Sequence, residues 1–364
     1  MSRVPRFDER ILEMLSNAPG VSGGEEAVRG ILAGLVRDHV DGLEIDPLGS
    51  LIARIAPAPG RGAGGRGRAA VRGTRARGPH VMLCAHMDEV GFMIAAVTKE
   101  GLLRFRTVGG IDPRLLPGQV VRVGPAALRG VIGMLPPHLV KKADRERVLP
   151  ERELYIDIGA AGREEAESRV SMGDYAVFDT VYERWGRVRK GKAFDDRIGS
   201  AILASLVRQR PPLPVTAVWS VQEEVGLRGA TAAARRVRPD VAIVLEGTFC
   251  TEAPGLSAEE QFPRMGHGPV LTIHDRSVMA HQKLVGILRE TARQRRIAVQ
   301  FKRPGLGGTD AGRISLAGAG IPSAVVSVPC RYIHAPAALL DVRDAQRAVA
   351  LVAHALGAIR KEWP

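Results

Sequence analysis

Five short segments of the sequence combine histidine or acidic residues with an apolar run that precedes them. They contain His86 with Asp88, Asp195 with Asp196, Glu223 with Glu224, Glu246, and His334. Histidine nitrogen and carboxylate oxygen are the ligands of hydrolytic zinc sites, which keep one position open for water. Two ions ~3.5–4 Å apart need a bridging carboxylate and terminal ligands on each side, and five residues meet that need. One segment alone is weak evidence, but together they predict a two-metal hydrolytic site.

The elements that must position these residues alternate between strands and helices. Residues 80–85 form a continuous apolar run, typical of a strand that is buried on both faces. Strands are also predicted at 215–221, 241–245 and 324–328, and helices between them include 198–208. This alternation predicts an α/β fold with a largely parallel sheet flanked by helices. Ligands just past the carboxyl ends of strands lie where such folds place their sites.

From about Gly91 to Arg189 the pattern changes to short β-like runs separated by Gly- and Pro-rich turns. Such a pattern indicates a small β-rich domain inserted into the larger one. The predicted organisation is a first catalytic part at 1–90, the insert at 91–189, and a second catalytic part at 190–364. A flexible Arg/Gly-rich loop is predicted at 60–78.

The net charge of +13 includes six arginines within residues 60–78. This stretch has two interpretations, a nucleic-acid-binding arm or a solvated loop. The loop is favoured because the stretch has no aromatic residues and no helical period, and aromatic residues are only 4% of the whole chain. Three widely spaced cysteines and the lack of a signal peptide or an apolar run of membrane length favour a cytoplasmic protein with no membrane partner.

The motifs that contain these residues resemble those of the TET-type (tetrahedral) metallo-aminopeptidases, also labelled glutamyl aminopeptidase or endoglucanase M-like. The resemblance covers nearly the whole chain outside 60–78. The matching stretches are PGVSGGEE, AHMDEVGFMI, GGIDPRLLPGQVV, GVIGMLPPHL, GKAFDDRIG, VQEEVGLRGA, GGTDAGRI and VPCRYIHAP. It implies a zinc-peptidase-like sheet and an inserted small β-barrel that helps the subunits to dimerise. It also implies peptide substrates and assembly from dimers into a dodecamer.

The resemblance further implies a role for each site residue. His86, Asp195 and Glu246 would bind one divalent ion. Asp195, Glu224 and His334 would bind the second, so that Asp195 bridges the two. Glu223 would be the general base, and Asp88 would orient the imidazole of His86. The family often has Asp at the position of Glu246, but the longer Glu side chain can still reach a metal ion.

Several alternatives stay open at this stage. Gly308, Thr309 and Asp310 either shape the substrate pocket or form a plain glycine-rich turn. Zinc is the expected metal, but cobalt and manganese suit the same ligand types. A glycoside hydrolase, which needs two carboxylates and aromatic platforms but no metal, is one competing function. A non-enzymatic, basic nucleic-acid-binding protein is the other.

Overall fold

The computed structural model describes residues 6–57, 78–139, 146–257 and 260–363. The predicted Arg/Gly-rich loop at 60–78 therefore lies outside the described residues, apart from Gly78. The helices in chain order are α1 (Glu9–Asn17), α2 (Glu26–Val36), α3 (Arg163–Glu167), α4 (Phe194–Val207), α5 (Arg228–Val237), α6 (Gln282–Arg295), α7 (Ala311–Ser315) and α8 (Val342–Glu362). Among the described helices, none is both long enough and apolar enough to cross a bilayer.

The strands belong either to one large sheet or to a closed barrel. In chain order they are β1 (Gly42–Ile45), β2 (Leu51–Ile55), β3 (Val81–His86), β4 (Gly91–Val97), β5 (Leu103–Val108), β6 (Val120–Val123), β7 (Leu128–Gly133), β8 (Tyr155–Asp157), β9 (Tyr175–Phe178), β10 (Glu183–Trp185), β11 (Val188–Gly191), β12 (Val215–Ser220), β13 (Val241–Phe249), β14 (Val270–Thr272), β15 (Gln300–Phe301), β16 (Ser323–Arg331) and β17 (Ala338–Asp341).

Within the described residues, the large sheet has eleven strands, with the main order β1-β2-β12-β3-β13-β16-β17-β11-β10 and with β14 and β15 beside β16. Its centre, β12-β3-β13-β16, is parallel, whereas the strands toward both margins pair antiparallel. Parallel neighbours bring their carboxyl ends to one edge of the sheet. The predicted mixed α/β sheet is confirmed, and four of its strands end beside one another.

Helices cover both faces of this sheet, which explains why its central strands are apolar along their whole length. Alternate residues of β3 pack on opposite layers because side chains alternate across a strand. Leu83 and Ala85 join the core that includes α4 and α8, whereas Met82 and Cys84 join the core that includes α5 and α7. Both layers fix the position of the last residue of β3, His86.

The barrel is closed by the strand order β4-β5-β8-β7-β6-β9, and its own core includes Phe92, Phe105 and Phe178. The predicted inserted barrel is therefore present. The predicted boundary at residue 189 needs a correction, because β10 and β11 belong to the large sheet. Val188 of β11 pairs with Asp341 of β17. We propose that the insert ends near Phe178, since the last barrel strand ends there.

Candidate active site

The predicted ligands meet at the carboxyl edge of the four parallel strands. His86 is the last residue of β3, Glu223 and Glu224 follow β12, and His334 follows β16. Glu246 departs from the predicted pattern, because it lies inside β13 rather than after it. β13 continues to Phe249 since its last residues remain paired with β16 as far as Cys330. Asp195 reaches the same edge from the start of α4, where the backbone of Asp195 and Asp196 is not helical.

The buried imidazole of His86 is surrounded by carboxylates. Its Nε2 lies 3.3 Å from Oδ1 of Asp195, 3.6 Å from Oε2 of Glu246 and 4.0 Å from Oε2 of Glu223. On the other side of the ring, Nδ1 lies 3.3 Å from Oδ1 of Asp88. Nε2 of His86 thus faces three carboxylates at the centre of the site, while Nδ1 faces the carboxylate of Asp88.

Asp195 lies between the two histidines. Its Oδ1 faces His86, and its Oδ2 lies 3.4 Å from Nε2 of His334. The same His334 nitrogen lies 3.2 Å from Oε1 of Glu224. A carboxylate whose two oxygens point toward two separate histidines has the geometry expected of a bridging ligand.

Asp196, the neighbour of Asp195, is occupied by the backbone. Its Oδ2 accepts a hydrogen bond from the amide of His86 at 3.1 Å, and its Oδ1 accepts one from the amide of Gly199 at 2.9 Å. These bonds tie the end of β3 to the start of α4. Asp196 therefore holds the two segments together, and Asp195 is the member of the pair that faces the histidines.

Asp88 supports the site from behind. It is fully buried and accepts hydrogen bonds from the Ser22 hydroxyl at 2.6 Å and from the amides of Glu223 and Glu224 at 3.0 and 3.1 Å. Burial raises the pKa of Asp88, but the opposing effect of His86 and Ser22 is larger. The pKa of Asp88 is therefore below its usual value. An ionised Asp88 fixes the tautomer of His86 and the path of the chain through both glutamates.

Asp88→Ala is expected to weaken metal binding by about 10–100-fold, because a carboxylate behind a ligand histidine sets that histidine's orientation and basicity. The measurement is a competition titration against a chelating dye. Ser22→Ala is the matched control, since it removes one of the hydrogen bonds to Asp88 and leaves the carboxylate in place. An unchanged metal affinity in Asp88→Ala would show that Asp88 does not support the ligand.

Unpaired negative charge is concentrated at this edge. Burial and the neighbouring carboxylates raise the pKa of Glu246, and burial raises the pKa of Glu223 and Glu224 despite the nearby histidines. Burial lowers the pKa of His334, yet Asp195 and Glu224 raise it more, to about 11. Each shift reflects the cost of holding several carboxylates in a buried space without enough positive charge.

The donor set fits divalent cations. Among the described residues, ligand atoms of three overlapping trios lie within 4.8 Å of one another, and Oε1 of the buried Glu246 accepts no hydrogen bond from any residue in that part of the chain. The trios are His86–Glu223–Glu246, His86–Asp195–Glu224, and Asp195–Asp196–Glu246. Buried carboxylates need a cation or a hydrogen bond to offset their lost hydration. Two cations would supply the missing charge.

Left-handed backbone conformations occur at three of the described residues just past β12 and β16. Gln222 has φ +56°, Tyr332 has φ +61° and His334 has φ +61°. Such values are uncommon outside glycine and cost free energy, and they cluster at functional sites where the surroundings enforce them. Here they redirect the chain just past β12 and β16, which aims Glu223, Glu224 and His334 at the centre of the edge.

The three residues predicted to line a substrate pocket are placed differently from one another. Asp310 is buried, accepts a 2.5 Å hydrogen bond from Ser220 at the end of β12, and has a pKa raised by burial to about 6. Thr309 is buried and its amide donates to Ser277 at 3.0 Å. Of the three, Gly308 alone is exposed. Their role in substrate binding stays a prediction.

A buried cluster of ion pairs holds the segment that leads to Asp195 in place. Lys192 Nζ lies 2.6 and 2.7 Å from the two oxygens of Glu89 and 2.9 Å from the carbonyl of Ala18, and Arg197 lies 3.1 Å from the same glutamate. Burial lowers the pKa of Lys192 to about 8, although Glu89 opposes that shift. The cluster joins the segment after β3 to the segment that carries Asp195.

Lys192→Met is expected to lower the free energy of unfolding by about 3–5 kcal/mol, because it removes part of the charge that neutralises the buried Glu89. Lys190→Met is the matched control two residues earlier, where the lysine pairs with the exposed Glu183. That pair is expected to contribute less than about 1 kcal/mol. Urea unfolding at one fixed protein concentration measures both, and equal losses would contradict the expectation.

Two supporting groups were missed by the sequence reasoning. The hydroxyl of Ser22 donates to Asp88, and Nδ1 of His334 lies 3.0 Å from the carbonyl of Gly110, to which it donates as an N–H. Both lie in motifs already quoted for the family resemblance, PGVSGGEE and GGIDPRLLPGQVV. The sequence contained these motifs far from any predicted ligand. It did not show which site residue each motif would contact.

Comparison with known proteins identifies the family. The family model of the M42 glutamyl aminopeptidases matches residues 66–351. The chain belongs to the M42 family. This M42 chain is 31% identical to the lysyl aminopeptidase of Pyrococcus furiosus over 94% of its own length and 95% of the relative's.

Two solved structures are also similar to this M42 chain. The TET aminopeptidase from a marine sediment archaeon, Thaumarchaeota archaeon SCGC AB-539-E09, has a TM-score of 0.87 and 35% identity, covering 96% of this chain and 98% of the other. The Pyrococcus horikoshii TET1 peptidase, described as able to assemble into a tetrahedron or a large octahedral shell, has a TM-score of 0.80 and 31% identity, covering 95% and 98%.

The family assignment establishes the class of reaction. The protein is a metal-dependent aminopeptidase, a hydrolase that acts on peptide bonds. The resemblance drawn from the sequence motifs is confirmed. The glycoside hydrolase and nucleic-acid-binding alternatives are not favoured.

Proposed function

We propose that the protein removes the first residue of peptides at a dinuclear centre. His86, Asp195 and Glu246 would hold one ion, and Asp195, Glu224 and His334 the other. The observation that carries this proposal is the position of Asp195, with one oxygen 3.3 Å from His86 and the other 3.4 Å from His334. His86 and His334 thus lie on opposite sides of the Asp195 carboxylate, each near a different oxygen.

When bound, two divalent ions polarise the scissile carbonyl and lower the pKa of the attacking water from 15.7 toward about 7. Glu223 is suited to take the proton from that water. Its side chain is largely buried, its Oε2 lies 4.0 Å from Nε2 of His86, and burial raises its pKa well above the usual value. A carboxylate with a raised pKa takes up a proton more readily and can then deliver it to the leaving amine.

Five ionised carboxylates carry one more negative charge than two divalent ions neutralise, and this remaining charge favours a substrate with a free α-ammonium group. Five acidic side chains, Asp195, Asp196, Glu223, Glu224 and Glu246, belong to the three trios of possible metal ligands. A positive N-terminus is attracted to such an edge, whereas a blocked N-terminus carries no charge. This difference would restrict cleavage to the first residue.

We propose zinc as the resident metal, because imidazole and carboxylate ligands in a hydrolytic site suit zinc. Cobalt and manganese accept the same ligand types and remain alternatives to be tested by metal replacement. The cytoplasmic location also remains a proposal, and it rests on the three cysteines, all of which are free thiols.

We propose further that subunits dimerise through the barrel and assemble into a dodecamer. The barrel exposes Val120 and Val131, and the loops around it expose Leu135, Leu139 and Val148. Apolar side chains that cluster on a surface are typical of protein interfaces. A tetrahedron has six edges, so a dimer on each edge would give twelve subunits. Sedimentation velocity distinguishes the dimer from the dodecamer.

The proposed function is tested with aminoacyl p-nitroanilides and with one peptide prepared with a free and with an acetylated N-terminus. We expect release of the first residue from the free peptide, none from the acetylated one, loss of activity with a chelator, and recovery when zinc or cobalt is restored. Equal cleavage of both peptides, or full activity in the chelator, would contradict the proposal.

A further inference from the structure

Glu25 is a buried carboxylate that connects two loops. It lies directly before α2 and is only 2% exposed. Its Oε1 accepts a hydrogen bond from the amide of Gly23 at 2.8 Å and another from the amide of Gln222 at 3.1 Å. The first bond is local, whereas the second joins residues 197 positions apart in the chain. Glu25 therefore links the loop before α2 to the loop after β12.

The loop before α2 is itself held against the end of β3. The carbonyl of Gly20 accepts a hydrogen bond from the amide of Glu89 at 2.9 Å, and Val21 forms a β-bridge with the same glutamate. The hydroxyl of Ser22 donates to Asp88 at 2.6 Å. These contacts fix the backbone that leads to α2, so a side chain at the start of α2 can hold a neighbouring loop in one position.

Gln222 has a backbone conformation that the contact with Glu25 stabilises. Its φ of +56° is left-handed, which costs free energy for a residue other than glycine. It directly precedes Glu223, so its backbone angles set the direction in which the chain carries that side chain away from β12. The amides of Glu223 and Glu224 donate to Asp88. The amide of Gln222 is held separately, by Glu25.

The oxygen of Glu25 can accept these bonds whether or not the group is ionised. Burial raises the pKa of Glu25, the Gly23 amide opposes that rise, and the charge of Asp88 adds to it. A protonated carboxyl group still has an oxygen that accepts hydrogen bonds, and so does the side-chain amide of glutamine. Glu25→Gln therefore keeps the contact with Gln222, whereas Glu25→Ala removes it.

We propose that Glu25 is a positioning residue for Glu223. By accepting the hydrogen bond from Gln222, it keeps that residue left-handed and keeps the carboxylate of Glu223 directed at the site. This inference rests on the proposed function, in which Glu223 is the general base. It assigns to Glu25 an effect on catalysis that is transmitted through the backbone of the loop after β12.

The test is steady-state kinetics of Glu25→Ala with leucyl p-nitroanilide, together with metal analysis of the same preparation. We expect kcat to fall by about 10–100-fold and KM to change by less than about 2-fold, because a misdirected base slows the chemical step and leaves substrate binding in place. The variant should retain two ions per subunit. Glu26→Ala is the matched control at the next residue, which is exposed, and its kcat should be unchanged.

Three further variants distinguish positioning from a general loss of structure. Glu25→Gln should retain most of the kcat, since its amide oxygen accepts the same hydrogen bond. Glu25→Asp keeps the charge on a shorter side chain, and it should lose kcat as the alanine variant does, even if that variant does not fold. Gln222→Gly, added to Glu25→Ala, should restore part of the kcat, because glycine adopts a positive φ without the steric cost.

The outcomes separate this inference from the proposed function. An active wild-type enzyme whose kcat is unchanged in Glu25→Ala and Glu25→Asp would overturn the role of Glu25 and leave the aminopeptidase function intact. So would a loss of metal from Glu25→Ala, which would show that Glu25 supports the ligand Glu224 instead. No recovery of kcat from Gln222→Gly would also overturn the inference. No hydrolysis by the wild-type enzyme would contradict the proposed function and this inference together.

Discussion

Replacing Glu223 by glutamine is expected to lower kcat by about 10²–10⁴-fold, the contribution typical of a positioned general base. Glutamine has nearly the same shape but cannot take up a proton at neutral pH. Burial raises the pKa of Glu223, and the charges of Asp310, Glu224 and Asp195 support that rise against the opposing effect of His86. The amide of Glu223 would still donate to Asp88, so the local backbone is expected to persist.

The measurement is steady-state kinetics together with metal analysis of the same preparation. Glu223→Gln should retain two ions per subunit, because Glu223 is proposed as a base. Glu224→Gln is the matched control at the next residue, and it should lose metal from the side of His334. Since Glu223 is also close to His86 and Glu246, a loss of metal in Glu223→Gln would identify it as a ligand instead. Full activity would refute its role as the base.

Replacing Asp195 by asparagine is expected to lower kcat by about 10³-fold or more. The substitution should weaken the binding of both metal ions, which supply several kcal/mol of transition-state stabilisation. The two carboxylate oxygens lie 3.3 and 3.4 Å from the two histidine nitrogens. An amide offers one neutral oxygen, and its NH₂ group is not a metal ligand. Both ions would therefore lose a ligand through a single substitution.

Metal analysis after dialysis distinguishes this bridging role from a terminal one. Asp195→Asn should contain fewer than one ion per subunit, whereas His334→Asn, which alters one side of the site, should keep one. His334 is the more exposed histidine, with 35% of its side chain accessible, so its replacement disturbs the core less than a change at the buried His86. Equal metal contents in the two variants would contradict a bridging Asp195.

The sequence predicted the fold and the candidate site segments because strand ends are visible in an apolar pattern, whereas the choice of ligands came from the family resemblance and stays a prediction. The apolar run ends at Ala85, one residue before the end of β3 at His86, and Glu223 closely follows the end of β12. Glu246 did not follow this rule, because pairing with β16 carries β13 three residues beyond it. Pairing partners extend or shorten a strand, and they are not visible in the strand's own sequence.

The supporting contacts could not be predicted for a related reason. Ser22 lies 66 residues from Asp88, and Gly110 lies 224 residues from His334, yet each makes a hydrogen bond to the site. The first contact depends on how the loop between α1 and α2 packs against the end of β3, and the second on how the barrel is placed against the large sheet. Likewise, β10 and β11 have the short β-like pattern of the insert, but β11 pairs with β17, which occurs about 150 residues later in the chain.

The most direct test of the central claim is a crystal structure of the zinc-loaded protein with anomalous diffraction at the zinc edge. We predict two anomalous peaks per subunit, ~3.5–4 Å apart, with one oxygen of Asp195 bound to each. His86 and Glu246 should complete one coordination sphere, and Glu224 and His334 the other. A single peak in metal-saturated, active protein, or two peaks that do not share Asp195, would contradict the account.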